Sequence, residues 1–209
     1  HQKIGVPCAY FTLIRDPVRL MCSFFPRRPY IFFGTGLNDV WAGFERHLDE
    51  WKDTAGHANL QTYEIATYDF DKPFPHSPET PPDVAIHYIR NYPGTSPDDL
   101  LRSAIEKIDR FYFLAGITEL FEETLFLLFD LLGIEKIPLW RPGIYSYWRP
   151  PANEIPTRLR RKIERLTEAD AALYERQRRG VEQLMAEADF GGDLLDYKIA
   201  CRNPSYRLF

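Results

Sequence analysis

CAYFTLIRDPVRLMCSF, residues 8–24, is the stretch that decides the fold. Its first seven residues, Cys8 to Ile14, are apolar, aromatic or β-branched, the composition of a short buried strand. Arg15-Asp16-Pro17 follows without a spacer. Asp16 suits a helix N-cap, and Pro17 suits a first helical position, where its missing N–H has no intrahelical partner to lose. Val18, Leu20, Met21 and Phe24 then predict a helix that stops near Pro26. A strand passing through a tight turn into a helix is where α/β proteins hold phosphate, because the first N–H groups of the helix point at the ligand.

The order recurs further along. Ser96-Pro97-Asp98-Asp99 predicts a helix start, and Leu100, Leu101, Ile105 and Ile108 give it an apolar face. Phe111 to Ala115 reads as a second buried strand. Gly116 to Thr118 turns into a helix from Glu119 to Leu132, with Gly133 as its C-terminal stop. Strands alternating with helices predict a parallel sheet in an α/β protein. Between these units, Asn38-Asp39 caps a helix through Val40, Trp41, Phe44, Leu48 and Trp51, and another covers Ala58 to Ala66. Residues 68–83 are rich in Pro, Asp and His and read as a surface loop. Residues 138–156 form a loop rich in Trp, Tyr, Arg and Pro. Helices at Thr157–Leu166 and Glu168–Glu187 follow, with Thr167 and Asp170 spaced as a capping box. The tail from Phe190 has no clear period.

The bulk numbers agree with one domain. The chain has 209 residues, 44% of them hydrophobic and 15% aromatic, enough for a substantial core. The net charge of −4 gives no general attraction to nucleic acid polymers or acidic membranes, so any anion site must be built locally. No apolar run reaches the roughly 18 residues of a membrane span. Cys8, Cys22 and Cys201 lack metal spacing; their low, odd number suits buried thiols in a reducing, cytoplasmic setting, with one bridge plus a free thiol as the other arrangement. His47, His57, His76 and His87 lack paired-ligand spacing, so no metal site is expected. The chain opens with His1 rather than Met, as a fragment or processed form would.

Arg15 stands at the carboxyl end of the first strand, where a guanidinium can grip a phosphate bidentately. Ser23 lies two helical turns beyond Asp16, roughly 10 Å of rise, within reach of a phosphate lying along the helix. The competing reading is that Asp-Pro merely starts a helix and Arg15 pairs with a surface acid. Arg141 and Arg149 among Trp140, Tyr145, Tyr147 and Trp148 can be cation–π packing or a platform that stacks a ring. The cluster Arg158, Arg160, Arg161, Lys162 and Arg165, interleaved with Glu164 and Glu168, is either a solvated helix face or a dock for an acidic glycan.

YFTLIRDPVRLMCSFF (residues 10–25) resembles the 3′-phosphate-binding segment of sulfotransferases that use 3′-phosphoadenosine 5′-phosphosulfate (PAPS), nearest the heparan sulfate 2-O-sulfotransferase-like and bacterial carbohydrate branch. That family shows an aromatic strand and then R-D-P-x-x-R-x-x-S. Arg15, Asp16, Pro17 and Ser23 match; Leu20 stands where the second Arg is expected, with Arg19 beside it. Asn59-Leu60-Gln61-Thr62 is similar to the family's N-L-Q-T, with Tyr63 in place of a frequent Arg. IDRFYFLAGITELFEETLFLLFDLLG (residues 108–133) resembles its second strand and helix, where a phrase like F-x-G-x-T-E is typical. Arg149-Pro150 is similar to its C-terminal loop, and Asp170, Leu173 and Tyr174 to its N-x-x-D-x-x-L-Y helix.

The resemblance implies a P-loop-like three-layer sandwich, a parallel sheet flanked by helices, with this chain lacking the first strand–loop–helix. It implies transfer of a sulfuryl group from PAPS, as co-substrate and without a metal, to a hydroxyl of a carbohydrate or similar acceptor. Arg15 and Ser23 would hold the 3′-phosphate, and Arg149 would reach the nucleotide from a loop, 138–156, that covers it. Asn59, Gln61 and Thr62 would face the acceptor. The Gly/Lys loop for the 5′-phosphosulfate would lie upstream of His1; Gly34-Thr35-Gly36 has no Lys. His1 is the candidate base. The alternatives are a non-catalytic nucleotide- or glycan-binding protein on the same fold, and a kinase-like P-loop enzyme, against which the absent G-x-x-x-x-G-K counts.

Overall fold

The computed structural model describes residues 10–24, 37–51, 58–68, 96–134, 137, 139, 152–188 and 190–202. Among these the chain is mostly helical with one small parallel sheet, a broadly α/β arrangement. In chain order the elements are β1 (Tyr10–Ile14), α1 (Pro17–Phe24), α2 (Leu37–Trp51), α3 (Leu60–Thr67), α4 (Pro97–Phe111), β2 (Tyr112–Ile117), α5 (Phe121–Leu131), α6 (Thr157–Leu166), α7 (Glu168–Glu187) and α8 (Gly191–Arg202). Short 3₁₀ turns at Thr118–Leu120 and Ala152–Glu154 precede α5 and α6. The chain divides into two compact units, each assembled from separate stretches: residues 1–16, 111–147 and 174–209 form one, residues 17–110 and 148–173 the other.

The first unit is built on the sheet. β1 and β2 pair in parallel with Ile14 opposite Ile117, and a bulge between Tyr10 and Phe11 shifts the register. Ile14, Leu114, Ala115 and Ile117 are buried, while Phe11 and Phe113 are exposed. The sheet meets α5 closely at Gly116. A Cβ there would run into Thr124 Cγ2 and lie 3.1 Å from Leu13 Cδ2. Thr124 is itself fixed: its Oγ1 accepts from Ile117 N at 3.1 Å and donates to Ile117 O at 3.3 Å. At its other end α5 stops as the sequence predicts. Gly133 has φ +65°, Gly133 N donates to Asp130 O, and Ile134 N to Phe129 O, the paired bonds that close a helix over a left-handed residue. Phe126 packs edge-on against Phe190 at 4.9 Å and tilted against Tyr197 at 5.5 Å. With Ile137 and Cys201 these residues make a second core under α8.

The second unit is helical. Val18, Met21 and Cys22 of α1 pack with Phe44 and Leu48 of α2 and with Ile155, Leu159 and Ile163. Arg158 and Lys162 of α6 pair with Glu45 and Asp49 of α2 over this core. Leu100, Ala104 and Ile108 make the buried stripe of α4, spaced by one helical turn. The predicted start of α4 forms: Ser96 Oγ accepts from Asp99 N at 3.1 Å and donates to Asp99 Oδ2 at 2.7 Å. Lys107 Nζ donates to Ala66 O and Tyr68 O, closing the carboxyl end of α3. No helix among the described residues is long and apolar enough to cross a membrane.

Candidate functional site

Arg15 sits where the sequence puts it, directly after β1. Parallel pairing brings the carboxyl end of β2 alongside, and Glu119 follows that end by two residues. The Glu119 carboxylate does two things there. Its Oε2 accepts from Asp16 N at 3.1 Å, and its Oε1 lies 3.9 Å from Arg15 Nε. The second distance is an ion pair, too long for a hydrogen bond. The reading of Arg15 paired with an acid therefore has a specific partner, and the arginine remains 30% exposed. Tyr174 of α7 belongs to the same neighbourhood. Burial and the charge of Glu119 push its phenol up to about 12, with Asp16 and Glu175 adding to the rise against Arg178. Arg15, Asp16, Glu119 and Tyr174 thus gather around the carboxyl ends of two parallel strands, the place where open α/β sheets bind ligands.

Ser23 is in the other unit. It is buried on α1, and its Oγ donates to Leu20 O at 2.7 Å. The hydroxyl proton is thereby used within the helix, and its lone pairs remain as acceptors.

Asn59, Gln61 and Thr62 are drawn together with Asp170 into a reciprocal clip. Asn59 Oδ1 accepts from Ala169 N at 2.9 Å and Asp170 N at 3.1 Å, at the start of α7. Asp170 returns the bond to the start of α3, accepting from Thr62 N at 2.7 Å and Gln61 N at 3.2 Å. Each helix has its orphan N–H groups satisfied by a side chain of the other. The predicted capping box at Thr167 and Asp170 does not form. Thr167 Oγ1 turns back to Ile163 O at 2.9 Å, and Asp170 is engaged by α3. A tertiary partner with two aligned donors outcompetes the local one. The side chain of Asn59 and the main chain of Gln61 and Thr62 are therefore structural here. Thr62 is fully buried, and its Oγ1 has no hydrogen-bond partner among the described residues.

Burial raises the Asp170 carboxyl above its ordinary range, against the lowering by its bonds to Thr62 and Gln61. Desolvation and the Asp170 charge raise Glu64 as well. A carboxyl with a raised pKa stabilises the fold most below its unfolded value of about 3.9 and loses that contribution as pH rises through the folded value. The stability difference between the wild type and Asp170→Asn, which does not titrate, is therefore expected to shrink from pH 4 to pH 7 in urea unfolding. A difference that grows with pH would contradict the assignment.

The basic cluster on α6 is divided. Arg158 and Lys162 are tied to Glu45 and Asp49. Arg161 and Arg165, with Thr157, Arg158, Glu164 and Glu168, line an open cavity of about 680 Å³, where the two glutamates offset the two arginines that lack an ion pair among the described residues. Cys22 and Cys201 are buried free thiols. No group of three or more His, Cys, Asp or Glu able to hold a metal occurs among the described residues. His1, Arg149, Cys8, Gly34-Thr35-Gly36, residues 69–83 and most of 138–156, with Trp140, Arg141, Tyr145, Tyr147 and Trp148, lie outside the described residues. Comparison with protein families, curated proteins and solved structures finds no match to this chain.

Proposed function

We propose that this chain carries the 3′-phosphate-binding part of a PAPS-dependent sulfotransferase acting on a hydroxyl of a carbohydrate or similar acceptor. The observation that carries the reading is Arg15 at the carboxyl end of a parallel strand, inside the segment that resembles the family's 3′-phosphate motif. The ordered likenesses at Asn59–Thr62, Phe111–Glu119 and Asp170–Tyr174 add to it. On this reading the two strands belong to a P-loop-like three-layer sandwich, since parallel sheets require both faces covered. The acceptor oxygen attacks sulfur in line as its proton passes to a base. The S–O bond to the phosphate breaks, and adenosine 3′,5′-bisphosphate leaves, its charge balanced by cations and N–H donors. Arg15 and Ser23 are the residues proposed for the 3′-phosphate, and Arg149 for the nucleotide.

One observation favours a second reading, a nucleotide- or glycan-binding protein on the same fold. Asn59, Gln61 and Thr62, which the likeness places at the acceptor, are engaged in the α3–α7 clip. Calorimetric titration with adenosine 3′,5′-bisphosphate tests what the readings share. Wild type is expected to bind, and Arg15→Ala to bind about 1.5–3 kcal/mol more weakly, the scale of a charge-assisted bond. Equal affinity would remove Arg15 from the site. Transfer of labelled sulfate from PAPS to a panel of glycans, phenols and peptides then separates enzyme from binder.

A further inference from the structure

Tyr174, Gln177 and Val181 follow one another at helical spacing along α7, and all three are buried. Two of them suit such a stripe: valine has nothing to satisfy, and tyrosine can bury its ring. Gln177 does not. It is 8% exposed, and its Nε2 is shut off from solvent with no hydrogen-bond partner among the described residues. A carboxamide nitrogen carries two N–H donors. A buried donor left unmade charges the fold with the desolvation of that group. Methionine would fill the same length of stripe without it.

The surroundings give this donor a use. Gln177 stands one helical turn from Tyr174 on the same face. Tyr174 feels the charges of Glu119 and Asp16, which meet at the carboxyl ends of β1 and β2. Open α/β sheets hold their ligands there. The charges also narrow the ligand group. Glu119, Asp16 and Glu175 are acidic, set against Arg178, so an oxyanion is not favoured beside this face. A neutral amide donor in that setting suits an uncharged acceptor: a hydroxyl, a carbonyl or a ring nitrogen.

We propose that Gln177 is a ligand-binding residue at the carboxyl ends of β1 and β2, its Nε2 donating to an uncharged acceptor on the base or ribose of the nucleotide, an inference that rests on the nucleotide reading above. The buried donor is then retained although it weakens the free fold, and binding supplies the partner that the fold withholds. An apolar side chain of the same length should strengthen the free protein and weaken the complex.

The test is Gln177→Met, with Gln177→Leu as a second apolar replacement. Each is titrated calorimetrically with adenosine 3′,5′-bisphosphate well below its thermal midpoint, and midpoints are recorded with and without nucleotide. Without nucleotide the variants are expected to melt at or above the wild-type midpoint, by up to about 5 °C, as relief of one unmade buried bond implies. Their affinity is expected to fall about tenfold, as when a ligand acceptor loses a buried donor. The same nucleotide concentration should therefore raise the wild-type midpoint more than theirs. Wild-type affinity in both variants would overturn the proposal, whatever their stability. So would free-state midpoints well below that of wild type, which would show the carboxamide to be satisfied within the core. Absence of binding by wild type would overturn the nucleotide reading and this inference with it, an outcome distinct from binding that neither variant alters.

Discussion

Asp170→Ala is expected to lower folding stability by about 3 kcal/mol, from the bonds to a charged acceptor that it removes. Asp170 is 1% exposed and Thr62 fully buried, so water cannot take over the Thr62 N–H. The loss comprises two bonds at 2.7 Å and 3.2 Å, less the relief of a desolvated carboxyl. Asn59→Ala should act in the same direction through Ala169 N and Asp170 N. Because the two residues form one network, the double variant should cost less than the sum of the singles. Urea unfolding of the four proteins closes the cycle. A loss below about 1 kcal/mol for Asp170→Ala, the size of a single net hydrogen bond, would mean that the clip is dispensable.

Gly116→Ala is the second large effect. The added methyl collides with Thr124 Cγ2, and Thr124 cannot swing aside without breaking its bonds to Ile117 N and O. Overpacking of a filled core costs about 1–3 kcal/mol and occasionally more; rigid surroundings put this case at about 3 kcal/mol. The rescue is specific. Thr124→Ser removes Cγ2 while keeping the hydroxyl, so Gly116→Ala/Thr124→Ser should recover much of the stability in thermal unfolding. Failure of the serine to rescue would place the strain elsewhere.

These two sites differ in how far the sequence exposes them. Local signals carried well: the apolar run to Ile14 followed by Asp-Pro placed β1 and α1, Ser96-Pro97 placed α4, Gly133 placed the end of α5, and α6 and α7 have the expected bounds. Each of these depends on chemistry within a few residues. α8 gave no signal because its apolar residues do not form one stripe: Tyr197, Ala200 and Cys201 are buried, whereas Leu195 and Ile199 are exposed. The clip was illegible for another reason. Asn59 and Asp170 are 111 positions apart, and Asp170 carried a spacing that suited a local cap equally well. The place of Arg15 directly after β1 was legible, but Glu119 beside it was not, since only the parallel register brings the ends of β1 and β2 together.

The separation across the clip has a kinetic side. Thr62 and Asp170 close a loop of 108 positions, and the entropy of such closure must be met before the bonds reward it. Helix-local contacts such as the Ser96–Asp99 cap carry no such delay. The clip is accordingly expected to form late in folding, after the transition state. Cutting it should then speed the escape from the native state and leave the rate of reaching it nearly untouched, as stopped-flow unfolding and refolding of Asp170→Ala would show. On this expectation, Asn59 and Asp170 govern how long the second unit stays folded more than how fast it gets there.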